Sequence, residues 1–150
     1  MTTASDPGCI FCKIVAGTIP CFKIHEDALT IAFMDINPLN PGHALVVPKG
    51  HYADLYAVDG LSLVAAVRSA QSVARALKAT VAPEGLNLLQ ANGEAAGQTV
   101  GHFHIHVVPR RKGDRGRRAK NSSNELIAVA ISAPVTAERK AAIASPPPLA

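Results

Sequence analysis

Hydrophobic and polar positions alternate, or recur at helical spacing, along most of the first 110 residues. The order in which they do so predicts β, β, β, α, β, β. A short apolar helix is expected over 10–16, stopped by Gly17. Strand-like runs at 22–26 and 29–34 flank Asp27-Ala28 and predict a hairpin. Asn37-Pro38-Leu39-Asn40-Pro41-Gly42 is dense turn punctuation, followed by an apolar strand at 44–47 closed by Pro48. The clearest helix starts near Asp59, a plausible N-cap, and ends at Pro83 and Gly85. Within it Leu63, Val67, Ala70, Ala74, Leu77 and Val81 recur every three or four residues and predict one apolar stripe. A strand at 86–91, a Gly-containing turn at 92–97 and a last strand at 102–108 complete the pattern, with Pro109 as its stop. Short connections between such strands imply an antiparallel sheet with helices to one side, an α+β domain.

The last strand changes the picture from architecture to chemistry. In Gly101-His102-Phe103-His104-Ile105-His106-Val107-Val108 three histidines alternate with apolar residues. Extended backbone sends successive side chains to opposite faces, so His102, His104 and His106 share one face, about 6.7 Å apart. Phe103, Ile105 and Val107 can then face the long helix. Packing alone would favour Val or Ile, because each buried imidazole needs a hydrogen-bond partner. Two chemistries fit the row: His-x-His ligating a catalytic metal, or one imidazole attacking phosphorus and forming a covalent intermediate. Asn92, Gly93, Gly97, Gln98 and Thr99, just upstream, favour the second, because such a turn can surround phosphate oxygens with donors.

Composition narrows the class. The chain has 150 residues, enough for one domain, and at 48% hydrophobic it can build a core, which must be aliphatic because there are only four Phe, two Tyr and no Trp. No apolar run is long enough for a membrane span, and the polar start does not resemble an export signal, so a cytoplasmic protein is expected. The net charge of +4 is local: residues 110–120 carry seven basic residues and one acid, and the rest sums to −2. That is a patch and not a basic domain, which argues against a nucleic-acid partner. Cys9 and Cys12 form C-x-x-C, read as half of a metal site, whereas Cys21 has no evident partner. His25 reads as a surface strand residue.

Gly97-Gln98-Thr99-Val100-Gly101 followed by the histidine row resembles the histidine-triad (HIT) signature, His-φ-His-φ-His-φ-φ with φ apolar. Cys9-Ile10-Phe11-Cys12-Lys13-Ile14, Gly17 to Pro20, Phe33-Met34-Asp35-Ile36-Asn37-Pro38 and Pro41-Gly42-His43-Ala44-Leu45-Val46-Val47-Pro48-Lys49 with His51 are similar to that family's segments in order. The resemblance covers a HIT domain at 9–111, while the residues themselves read as a flexible tail at 1–8 and a basic loop with a helical tail at 112–150. It implies a five-stranded antiparallel sheet with one long and one short helix, pairing into a continuous sheet in a homodimer. It implies a hydrolase of nucleoside phosphoramidates or dinucleoside polyphosphates that cleaves at the α-phosphorus through a nucleotidyl-histidine and releases a nucleoside monophosphate, AMP for a purine substrate. The nucleophile would be His104. His106 would contact the phosphate; Gln98 and Thr99, helped by Asn92 and Gly97, would hold phosphoryl oxygens and the leaving group. Asp35 would accept from the ribose hydroxyls, and Phe11, Ile14, Ile19 and Phe33 would form a slot for the base. His43 would support the site from behind.

The resemblance is to the zinc-containing, bacterial-type members, with a structural zinc on Cys9, Cys12, His51 and His102. Gly101 stands where relatives commonly carry an aromatic residue, which bears on the breadth of leaving groups. The alternatives are a nucleotidyl transferase or phosphorylase of the same superfamily, or a nucleotide-binding interaction protein with little turnover.

Overall fold

A computed structural model describes residues 4–114, and the basic stretch beyond 114 and the expected C-terminal helices lie outside the described residues. Five strands form one antiparallel sheet in the order β1-β2-β3-β5-β4: β1 (Lys23–Glu26), β2 (Thr30–Met34), β3 (Ala44–Pro48), β4 (Gly85–Leu89) and β5 (Ile105–Arg110). Two α-helices, α1 (Ile10–Val15) and α2 (Gly60–Val81), accompany it.

The helices do not lie to one side. Because alternate strand residues face opposite ways, each buried strand supplies two surfaces. Ala32, Met34, Ala44 and Val46 meet Ala66, Ala70, Val73 and Leu77 of α2, whereas Ile31, Phe33, Leu45 and Val47 meet Cys9, Phe11 and Cys12 around α1. A six-residue helix is too short to show an amphipathic stripe, so the sequence pattern carried no sign of its face.

The N-cap of α2 is Asp59, whose carboxylate accepts from the Ser62 N–H at 2.8 Å. Its buried line runs through Ala66, Ser69, Ala70, Val73 and Leu77. The expected stripe is rotated by part of a turn: small residues face the sheet and permit close approach, while Val67 is half exposed. The turn before His43 needs glycine. At Gly42 φ is +92°, and a Cβ there would stand 3.0 Å from Pro109 Cγ and 3.1 Å from Leu77 Cδ2.

The expected strand 102–108 begins later. Pairing with β3 starts at Val46↔Ile105 and continues through Leu45↔His106 to Ala44↔Val107. Before that, the His102 N–H donates to the Val100 carbonyl at 2.8 Å and the Phe103 N–H to the Tyr52 carbonyl, so the backbone is spent on loop contacts. The alternation survives, with Phe103, Ile105 and Val107 in the α2 core. Pro109 does not stop the strand; it pairs with Leu86. No helix among the described residues is long and apolar enough to cross a membrane.

Candidate active site and metal centre

His104 is the last loop residue before β5 and His106 the second residue within it, with Phe11 of α1 against the row. The Phe11 ring meets His104 edge-on at 5.1 Å and Phe33 at 5.6 Å. His104 is only 5% exposed. Its Nδ1 lies 2.6 Å from the His102 carbonyl, an obligate acceptor, so Nδ1 carries the proton and the Nε2 lone pair is free. Burial pushes this imidazole below its ordinary pKa, which keeps it neutral near pH 7.

The next pair is ordered the same way. The Leu39 N–H donates to His43 Nδ1 at 3.0 Å, so the His43 proton sits on Nε2. That Nε2 lies 2.9 Å from His106 Nδ1 and donates to it, which leaves His106 with its proton on Nε2. Asp35 Oδ2 stands 3.5 Å from the same His43 atom, and Asp35 Oδ1 accepts from the Asn37 N–H. Burial pushes His106 down to about 4, with the neighbouring His104 and His43 acting in the same direction. The outcome is a neutral row that ends in one nucleophilic lone pair, on His104, and one N–H donor, on His106. Asp35, His43 and His106 are close enough to be considered metal ligands. The tautomers argue otherwise, because His43 accepts at Nδ1 and must therefore be protonated at the nitrogen that a metal would need.

Cys9, Cys12, His51 and His102 do converge, with ligand atoms all within 4.8 Å of one another. Cys9 Sγ and Cys12 Sγ lie 3.4 and 3.6 Å from His102 Nδ1, and Cys12 Sγ lies 3.4 Å from His51 Nδ1. Tetrahedral zinc with ordinary Zn–S and Zn–N bonds sets a sulfur and a nitrogen about 3.5 Å apart, so the residues fit the ion. His102 Nε2 meets the Pro48 carbonyl at 2.9 Å, which fixes its proton there and turns the Nδ1 lone pair inward. Burial pushes His102 down to about 4, holding it in the neutral form a metal ligand requires.

The remaining expected residues divide. Phe11, Phe33 and Ile14 pack together beside His104, whereas half-buried Ile19 is outside that cluster. Gln98 is occupied within its own loop: its amide donates to the Ala53 and Val100 carbonyls and accepts from the Gly93 N–H. Asn92 accepts from the Leu55 N–H and pairs with Gln90. Both amides shape the 92–100 loop, and Thr99 at its end is exposed. Gly97 sits in the left-handed region at φ +88°, capping the 3-10 turn Glu94–Ala96. Gly101 faces open space. Sequence reasoning missed Gln90, Leu39 and Pro48, two of which act through backbone atoms that carry no residue-type signal. Cys21 packs against the α1-side core.

Three comparisons with known proteins bear on this site. The HIT domain description matches residues 16–113. The chain is 44% identical over 108 residues to adenosine 5'-monophosphoramidase hnt1 of Schizosaccharomyces pombe, covering 72% of this chain and 78% of that protein. It is 39% identical over 106 residues to adenylylsulfatase HINT3 of Arabidopsis thaliana, covering 71% of this chain and 54% of that one. Among solved structures, a zinc-bound histidine triad family protein from Mycobacterium smegmatis superimposes with a TM-score of 0.74 at 38% identity, covering 83% and 94% of the two chains.

Proposed function

Because the chain belongs to the HIT domain family, we propose that it is a nucleotide hydrolase of the zinc-containing, bacterial type, cleaving nucleoside phosphoramidates at the α-phosphorus through a nucleotidyl-His104 intermediate. The observation that carries this reading is the hydrogen bond from His104 Nδ1 to the His102 carbonyl, which frees Nε2 for attack. The Nε2 lone pair forms a P–N bond as the bond to the leaving amine breaks, and the departing nitrogen takes up a proton from solvent, which the water of the second step returns. His106, through its Nε2–H, donates to a phosphoryl oxygen as charge develops. Water then cleaves the His104–phosphorus bond, releasing the nucleoside monophosphate and restoring the imidazole. Asp35 offers acceptors to the ribose hydroxyls, and Phe11, Ile14 and Phe33 form the slot for a purine. Gln98, Thr99, Asn92 and Gly97 border the leaving-group side. The relatives named for adenosine monophosphoramidase and adenylylsulfatase activity support an adenosine substrate.

Phosphoramidates are favoured over dinucleoside polyphosphates by charge. Residues 86–104, which border the nucleophile, contain Glu94 and no Lys or Arg. A polyphosphate leaving group would need cations there; an amine does not. The test is AMP release from an adenosine phosphoramidate and from a diadenosine polyphosphate, each with and without inorganic phosphate. Faster, phosphate-independent release from the phosphoramidate is expected. ADP formed from phosphate would identify a phosphorylase, and no release from either substrate would leave a binding protein.

Zinc on Cys9, Cys12, His51 and His102 would be structural: with all four positions filled it braces the site and activates no water.

A homodimer also belongs to this reading. The edge strand β4 exposes Leu88 and Leu89, and α2 beside it exposes Leu61, Val64 and Val67. Leu55, Leu63, Val67, Leu88, Leu89, Phe103 and Ile105 line an apolar cavity of about 270 Å³ along this edge. Unpaired strand groups and apolar side chains together suit a second copy continuing the sheet. Leu88→Lys should convert a dimer to a monomer on native mass spectrometry; a monomeric wild type would remove the assembly from the account.

A further inference from the structure

Two residues outside the metal cluster, Ala4 and Asp6, hydrogen-bond to its members. Residues 1–8 read as tail in the sequence, yet 4–9 run across the cluster. The Ala4 carbonyl accepts from the His51 N–H at 2.8 Å, and the Asp6 carbonyl accepts from the Cys9 N–H at 3.1 Å. The Asp6 N–H donates to Cys12 Sγ at 3.4 Å. Asp6 Oδ1 accepts from the Gly8 N–H at 2.7 Å, closing a tight turn, and Oδ2 faces His51 Nε2 at 3.9 Å. One residue therefore addresses two of the four ligand side chains, and it meets His51 on the ring nitrogen away from Cys12.

We propose that residues 4–8 form a clasp over the Cys9–Cys12–His51–His102 centre and that Asp6 is its positioning residue, setting how tightly the metal is held. The proposal rests on the zinc reading above. Its physical content is twofold. A backbone N–H aimed at a thiolate neutralises part of the charge that two cysteines bring to a buried site. A carboxylate behind an imidazole places negative charge beside the protonated ring nitrogen and so favours the orientation that turns the other nitrogen to the metal. His51 presents Nδ1 to Cys12 at 3.4 Å and Nε2 toward Asp6 Oδ2 at 3.9 Å, a charge contact longer than a hydrogen bond. The other histidine, His102, is held by the Pro48 carbonyl, so each imidazole has its own support, one from β3 and one from the clasp.

Asp6→Asn separates this role from that of the turn. Asn keeps the backbone N–H and an oxygen that can accept from Gly8, and it replaces the charged acceptor facing His51 with a neutral donor. Zinc-loaded wild type and Asp6→Asn are challenged with a colorimetric zinc chelator, and both are reconstituted with Co(II) to read the thiolate-to-metal and d–d bands. Zinc should leave the variant about 10-fold faster, in line with outer partners of metal-bound histidines. The cobalt spectrum should stay tetrahedral and the melting temperature of the metal-free proteins should be equal. Equal release rates overturn the clasp while leaving the zinc reading intact. A wild type that takes up neither zinc nor cobalt overturns both.

Discussion

Replacing His104 with Asn should lower turnover of an adenosine phosphoramidate by at least about 10³-fold, with the fold retained. The argument is one of atoms. His104 Nε2 carries the only ring lone pair that the tautomer assignments leave without a partner in the row, because His102 Nδ1 faces the cysteine sulfurs and His106 Nδ1 accepts from His43. Asparagine has no equivalent lone pair to place on phosphorus, so the covalent route closes. Loss of His106 should cost less, on the order of 10²-fold, because it removes one donor to developing charge and not the bond-forming atom. A reversed order of the two losses would put the nucleophile on the wrong histidine. The pH profile carries the same assignment. Protonation of Nε2 removes the nucleophile, and burial lowers the pKa of His104. Activity should therefore persist as pH falls through about 6.5, the ordinary histidine value, and decline only below it. An acid limb at or above that value would contradict the burial argument.

Stripping zinc is the second large effect. Cys9, Cys12 and His102 are buried, and α1 joins the sheet largely through this cluster and Phe11. Zinc-finger peptides gain far more from their metal, but here the α2-side core contains none of the four ligands, so a loss of about 3 kcal/mol is expected. At about 4 °C per kcal/mol for a domain of this size, the melting temperature should fall by roughly 12 °C on chelation. Cys12→Ser should reproduce the fall and make it insensitive to chelator. Activity should drop in parallel, because the backbone carbonyl that holds His104 belongs to His102, whose ring is a proposed ligand. A melting temperature unchanged by chelator, in protein shown to contain zinc beforehand, would contradict a bracing role.

Much of this was legible in the residues and some was not, for identifiable reasons. The histidine row could be read because alternation is a backbone property: Phe103, Ile105 and Val107 enter the α2 core whether or not the segment is hydrogen-bonded as a strand. The start of β5 could not, because it depends on Tyr52 and Val100 carbonyls taking the N–H groups of Phe103 and His102. Half of the proposed metal set, Cys9 and Cys12, was legible as C-x-x-C, but His51 and His102 were available only through family resemblance, since Cys12 and His51 are 39 residues apart and Cys9 and His102 are 93 apart. The roles of Gln98 and Asn92 were read from residue type, which shows donors but not their partners, and both amides turn inward to brace the loop. The clasp was missed because its contacts come mainly from backbone atoms and a single Asp in a polar leader.

The central claim is a bond between His104 and phosphorus. The direct measurement is rapid-quench mass spectrometry of the protein mixed with an adenosine phosphoramidate, followed by peptide mapping of any adduct. The expected result is one adenylyl group on residue 104, formed and lost at rates compatible with turnover and missing in His104→Asn. Steady AMP release with no adduct, or with the adenylyl group on another residue, would contradict it.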